Sequence, residues 1–163
     1  MTRHTIACIA LGLIGIVSWP STSRGQTPEE RSVIAVVERM FEGMRTADSA
    51  RARSVFAAGA RFAGVDARTN SPAVRFDSVD GWITAIAGSN GLWDEQIYDV
   101  RAFVDTGIAV VWAPYTFYLD RKISHCGVNV VDMLRVADEW KVIQIYDSRR
   151  REGCPDPLKA GTP

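Results

Sequence analysis

The chain has 163 residues, with 19 basic and 19 acidic side chains and no formal net charge. That length supports one domain with a real core, and the even balance leaves no electrostatic footprint for nucleic acid or an anionic lipid surface. Nucleophile motifs, phosphate loops and paired metal-ligand spacings are all missing from the sequence, so no metal and no organic cofactor is expected.

Arg3 and His4 precede an uncharged apolar run from Thr5 to Val17. The run is too short to span a bilayer and fits the apolar region of a signal peptide. Ser23-Arg24-Gly25 places small residues at the −3 and −1 positions, so cleavage is expected before Gln26. Residues 1–25 are thus predicted to be a signal peptide and the protein to be secreted or periplasmic, with no membrane span. A buried N-terminal helix is the alternative, but nothing caps it and Pro20 interrupts it. Removing Arg3 and Arg24 takes the 19 basic residues to 17 against 19 acidic ones.

The domain is expected over residues 26–152. Thr27-Pro28-Glu29-Glu30 is a helix start, with an N-cap threonine, a proline at N1 and a glutamate at N3. Val33, Val37, Met40, Phe41 and Met44 follow at helical spacing, and the helix should end near Thr46. Asp48 or Ser49 caps a shorter second helix that Gly59 can close. Ala60 to Val65 is predicted as a short strand and 66–73 as a polar loop. Asp77 or Ser78 then caps a third helix carrying Val79, Trp82, Ile83 and Ile86. From Leu92 onward the pattern changes to period two, giving strands over 92–104, 107–119, 124–136 and 140–147. Such short links demand antiparallel neighbours. Residues 153–163 have little to bury and are expected to form a loose C-terminal tail.

Helices followed by a meander predict an α+β cone, with N-terminal helices packed in a strongly curved antiparallel sheet whose open end can hold a ligand. Cys126 and Cys154 form an even pair in an exported protein, which suggests one disulfide; two free thiols are the alternative. If Arg135 faces Trp140, Cys126 falls opposite Arg149, close in sequence to Cys154. His125, alone beyond residue 25, falls by alternation on the outer face with Gly127 and Asn129. Asp132 alternates with Val130 and Leu134, where an ionisable group is costly to bury, so it is expected to mark a pocket wall.

The segments ERMFEGMRTADSARARSVFAAGARF and VVDMLRVADEWKVIQIYD, with this order of elements, resemble the nuclear transport factor 2-like superfamily, which includes ketosteroid isomerase, scytalone dehydratase and the SnoaL-like cyclases. The resemblance covers about residues 28–150. It implies that VVDMLRV is the strand that carries a protonated aspartic acid in ketosteroid isomerase, placing Asp132 there. That family's helix-one tyrosine falls on Met40 and its general base on Gly64, with Asp66 as a substitute two residues on. Steroid isomerisation is therefore not supported.

The resemblance further implies that Val128, Val130, Asp132 and Leu134 point inward. Ile143, Ile145, Asp147 and Arg149 share that face, and Ala109, Val111, Ala113, Tyr115 and Phe117 complete the wall. Trp112, Val131, Met133, Val142 and Tyr146 would then face outward. Such an apolar surface suits a homodimer, with partial cover by the tail as the alternative. Two functions follow. One is an exported binding or accessory domain holding a small apolar or carbonyl-bearing ligand against Met40, Asp66, Val111, Tyr115, Phe117, Val130, Leu134, Ile143, Ile145 and Arg149. The other is a cofactor-independent lyase, isomerase or cyclase with Asp132 and Asp147 as catalytic acid–base groups.

Overall fold

The structure, a computed structural model, describes residues 25–159; the expected signal peptide lies outside them apart from Gly25. Helix α1 spans Pro28–Arg45, and its start is the reciprocal cap read from the sequence. Thr27 Oγ1 accepts from the Glu30 amide at 3.1 Å, and the Glu30 carboxylate accepts from the Thr27 amide at 2.6 Å. Its Val33, Val37 and Met40 are buried against the sheet. Asp48 caps α2, Ser49–Ser54, which is shorter than expected. Gly59 does not close that helix: it sits at φ 78° inside β1, Phe56–Asp66, where the register to its neighbour shifts. A left-handed glycine serves a bulge as readily as a helix end, which is why the residue alone misled.

The predicted loop over 66–73 gives way to a strand that the sequence pattern did not show, β2, Ala73–Ser78, leading into α3, Val79–Ala87. The predicted strand over 92–104 is broken near Asp99 (φ 49°) into β3, Trp93–Ile97, and β4, Arg101–Asp105. Strands β5, Ile108–Leu119, β6, Lys122–Val136, and β7, Glu139–Arg149, complete the meander. Asp120-Arg121 and Ala137-Asp138 turn its two hairpins with positive φ at both central residues, the geometry that matches strand twist.

The sheet runs in the order β2-β1-β7-β6-β5-β3, with β4 also on β5. Every pairing is antiparallel except β1 with β7, which is parallel, so the sheet is mixed. It curves around α1 as an α+β cone.

One bulge decides which residues line the concave face. Arg135 does face Trp140, and Met133 faces Val142, but the next pair is Asp132 with Gln144, leaving Ile143 unpaired. Val142 and Ile145 are therefore both buried, while Asn129 pairs with Asp147. The expected inward face of β5 and of the end of β7 is correct. That of β6 is reversed: Asn129, Val131 and Met133 point into the core, and Val128, Val130, Asp132 and Leu134 point out. The outer-face reading of Val131, Met133 and Val142 is overturned, since all three are fully buried. Trp112 and Tyr146 do lie outside, about half exposed.

The same bulge moves Cys126 from opposite Arg149 to opposite Arg150. The disulfide to Cys154 is present, with Cα atoms 5.5 Å apart. The tail is not loose over 155–159. Thr116 Oγ1 donates to the Pro155 carbonyl at 2.9 Å, and the Tyr118 hydroxyl donates to Asp156 at 2.8 Å. Replacing both cysteines by alanine should lower unfolding free energy by about 3 kcal/mol, through the freed loop of the unfolded chain. Urea melts of the double variant beside the oxidised protein measure this; coincident midpoints would contradict it.

Candidate functional site

The concave face encloses a cavity of about 610 Å³. Its two sides differ in chemistry. Met40, Phe41 and Met44 of α1 line one part, with Phe62, Trp82, Trp93 and Phe117 around them. Phe56, Phe62 and Trp82 meet edge to face, with ring centroids 5.6–6.0 Å apart, a rigid aromatic wall. Glu95, Tyr115, His125, Asn129, Asp147 and Arg149 supply the polar side, joined by Arg68 and Arg75.

Strand register assembles that polar side. Residues paired across successive strands share a face, and Arg75, Gly64, Asp147, Asn129 and Ala113 form one such row across five strands. A Cβ on Gly64 would lie 2.4 Å from both the carbonyl oxygen and Oδ1 of Asp147. The position taken by a general base in ketosteroid isomerase is here the gap through which Arg75 reaches Asp147. Asp147 is held between two guanidiniums: Arg75 pairs with Oδ1, and Arg149 Nε donates to Oδ2 at 2.7 Å. Arg75 also pairs with Asp77, and its buried Nε has no partner among the described residues.

Asp66, expected as a substitute base, does not line the cavity; it accepts from Arg68 through Nε at 2.8 Å and Nη2 at 2.5 Å. That hydrogen bonding holds its carboxyl well below the usual carboxylate range.

Two groups on this wall titrate far from their ordinary values. Glu95 is pushed up to about 8, chiefly by burial, against the bond it accepts from Asn129 Nδ2 at 2.6 Å. It is a neutral acid at pH 7. His125 is pulled down to about 4 by burial and by the guanidiniums of Arg149 and Arg68, and stands as a neutral imidazole beside the rings of Tyr115 and Phe117. The Tyr115 hydroxyl donates to the Ser148 carbonyl at 3.0 Å, and burial pushes it up.

Of the residues expected in the site, Met40, Tyr115, Phe117, Ile145, Asp147 and Arg149 line the cavity. Val111 is inward but sealed in the core. Val130, Asp132 and Leu134 are on the opposite face and Ile143 is the bulge residue, so none of the four borders the cavity. Asp132 is half-buried there with no hydrogen bond among the described residues, and burial raises its pKa. Asp132→Leu should therefore be neutral or slightly stabilising, within about 0.5 kcal/mol. A thermal melt showing a loss above 2 kcal/mol would restore a structural role for this carboxylate.

His125 was expected outside and lies inside, because Gly127 and Asn129 share its reversed face. Glu95 was missed, although Trp93, Glu95 and Ile97 alternate on one face and give the very signal assigned to Asp132. Arg68 lies in the predicted loop over 66–73, and Arg75 on β2, where no element was predicted.

No family model matches the chain, and no curated protein matches it. Solved structures do. An NTF2-like protein of unknown function from Shewanella baltica superposes with a TM-score of 0.58, covering 81% of this chain and 100% of that one at 17% identity. The fold is NTF2-like. A candidate dehydratase of the NTF2-like family from Streptomyces avermitilis gives a TM-score of 0.57 at 15% identity, covering 74% of this chain and 95% of that one. A candidate β subunit of an aromatic-ring-hydroxylating dioxygenase from Novosphingobium aromaticivorans gives 0.62 at 10% identity, covering 80% and 94%. At such identities the NTF2-like likeness establishes the fold alone.

Proposed function

We propose that the cavity binds a small, largely apolar ligand bearing a hydrogen-bond acceptor, and that the protein serves as an exported binding or accessory domain. One observation carries this reading: the free hydrogen-bonding capacity of the polar wall consists mainly of donors. Among the described residues, Arg149 engages only its Nε and Arg68 leaves Nη1 without a hydrogen bond, while Glu95 retains its acid proton. Neither aspartate named as a catalyst is placed for the task. Asp132 is outside the cavity, and Asp147 is already clamped by two cations.

A second reading, a cofactor-independent lyase or isomerase, is favoured by a different observation. Glu95 and His125 are pushed in opposite directions, which leaves a neutral acid and a neutral base on one wall. The exposed Phe103, Trp112 and Tyr146 of the outer face support a homodimer. Native mass spectrometry of protein purified from its own host tests these points together. Binding predicts a retained small molecule released unchanged on denaturation, a mass beginning at Gln26 reports export, and a doubled mass reports the dimer. Protein without any bound molecule, with no adduct formed on addition of apolar carboxylates, ketones or alcohols, would overturn the binding reading.

A further inference from the structure

Resting on that pocket reading, we infer that the ligand is a monoanion: a single carboxylate carried on an aromatic body. Three guanidiniums line the cavity, those of Arg68, Arg75 and Arg149. Three carboxylates answer them: Asp66 on Arg68, Asp77 on Arg75, and Asp147 shared between Arg75 and Arg149. The charges balance in number, so the wall has room for an anion only where a guanidinium keeps donors to spare. Arg149 has no carboxylate of its own, since its one partner is shared with Arg75.

Those spare donors are on Arg149. Its Nε is bound to Asp147 at 2.7 Å, and its two terminal nitrogens make no hydrogen bond among the described residues. A planar fork of that kind matches a carboxylate with two parallel bonds, which an ammonium or a lone hydroxyl cannot do. Across the cavity stand Phe62, Trp82, Trp93 and Phe117, which offer an aromatic ring both stacking and edge contacts. A volume of about 610 Å³ suits a one- or two-ring molecule. Glu95, as a neutral acid, adds no repulsion toward an anion at neutral pH.

Two probes of equal shape separate charge from shape: 2-naphthoate and 2-naphthalenemethanol, titrated at pH 6.5 with quenching of Trp82 and Trp93 as the readout. A hydrogen-bonded charge pair should favour the acid by about 10- to 100-fold. Arg149→Gln should reduce that preference to within about threefold, by weakening the acid far more than the alcohol. Arg149→Lys, which keeps the charge without the fork, should fall between them. Should Arg149→Gln fail to fold, Arg68→Gln removes the neighbouring donor and is expected to weaken the acid selectively. Equal binding of the two probes to the wild type would overturn the monoanion and leave the pocket intact. Binding of neither probe would overturn the pocket reading for aromatic ligands, and the inference with it.

Discussion

Asp147→Ala should lower the unfolding free energy by about 3–5 kcal/mol, the cost of leaving buried charge without its partner. The side chain is only 9% exposed and is the shared counter-ion of Arg75 and Arg149, themselves 17% and 30% exposed. Removing it leaves two guanidiniums facing one another with only the rim residue Asp77 to answer them. Pairing the change with Arg75→Met should recover most of the loss, because a buried pair replaced as a unit costs far less than one broken in half. The double-mutant cycle, read by urea melts, should give a coupling above about 2 kcal/mol. A coupling near zero would show that Asp147 holds neither arginine, and the account of the polar wall would fail.

Wild-type stability should stay nearly level between pH 4.5 and 6.5 and then decline toward pH 8. The level stretch arises from two opposing linkages. Glu95 has an ordinary value of 4.5 and stands at about 8 in the fold. Over that window the folded state keeps a proton that the unfolded state has lost, so stability falls as pH rises, by at most about 1.4 kcal/mol per unit. His125 has an ordinary value of 6.5 and stands at about 4. Between those values the unfolded state binds a proton that the folded state excludes, so stability rises with pH by a similar slope. The two offset one another up to pH 6.5, and above it only Glu95 acts. Glu95→Gln should expose the histidine alone: stability climbing from pH 4 to 6.5, then flat, and about 4 kcal/mol above wild type at pH 8. Superimposable profiles for variant and wild type would show that Glu95 is ionised in the native protein.

Much of the cone was legible because its signals are local. The Thr27 cap, the helical spacing from Val33 to Met44, the short links between the meander strands and the Cys126–Cys154 pair each depend on neighbours in sequence or on a single strand pairing. The site was legible only in part, because its geometry depends on strand parity, and parity is set by bulges. Val142 and Ile143 are both apolar, so the sequence offers no reason to skip one of them. Val130, Val131, Met133 and Leu134 put apolar groups on both faces of β6, so either orientation of that strand would bury a hydrophobic row. The structure resolves the tie by burying Val131 and Met133 in the core and pushing Asp132 outward. Glu95 carries the same alternation signal as Asp132, flanked on its face of β3 by Trp93 and Ile97. Arg68 and Arg75 were beyond it, since their approach to Asp147 depends on the missing side chain of Gly64.

The parallel pairing of β1 with β7 joins Phe62 to Ile145, partners from opposite ends of the domain. Loop closure over such a span must precede any reward from the contact, which slows folding and raises contact order. The first strand emerging from a ribosome thus waits for the last, and Gly64 cannot frame Asp147 until the chain is nearly complete. Until then the row of Phe56 and Phe62 on β1 has no sheet neighbour on the β7 side, and the nascent chain presents an open strand edge. The disulfide from Cys126 of β6 to Cys154, just beyond β7, then ties the last strand pairing of the sheet in place.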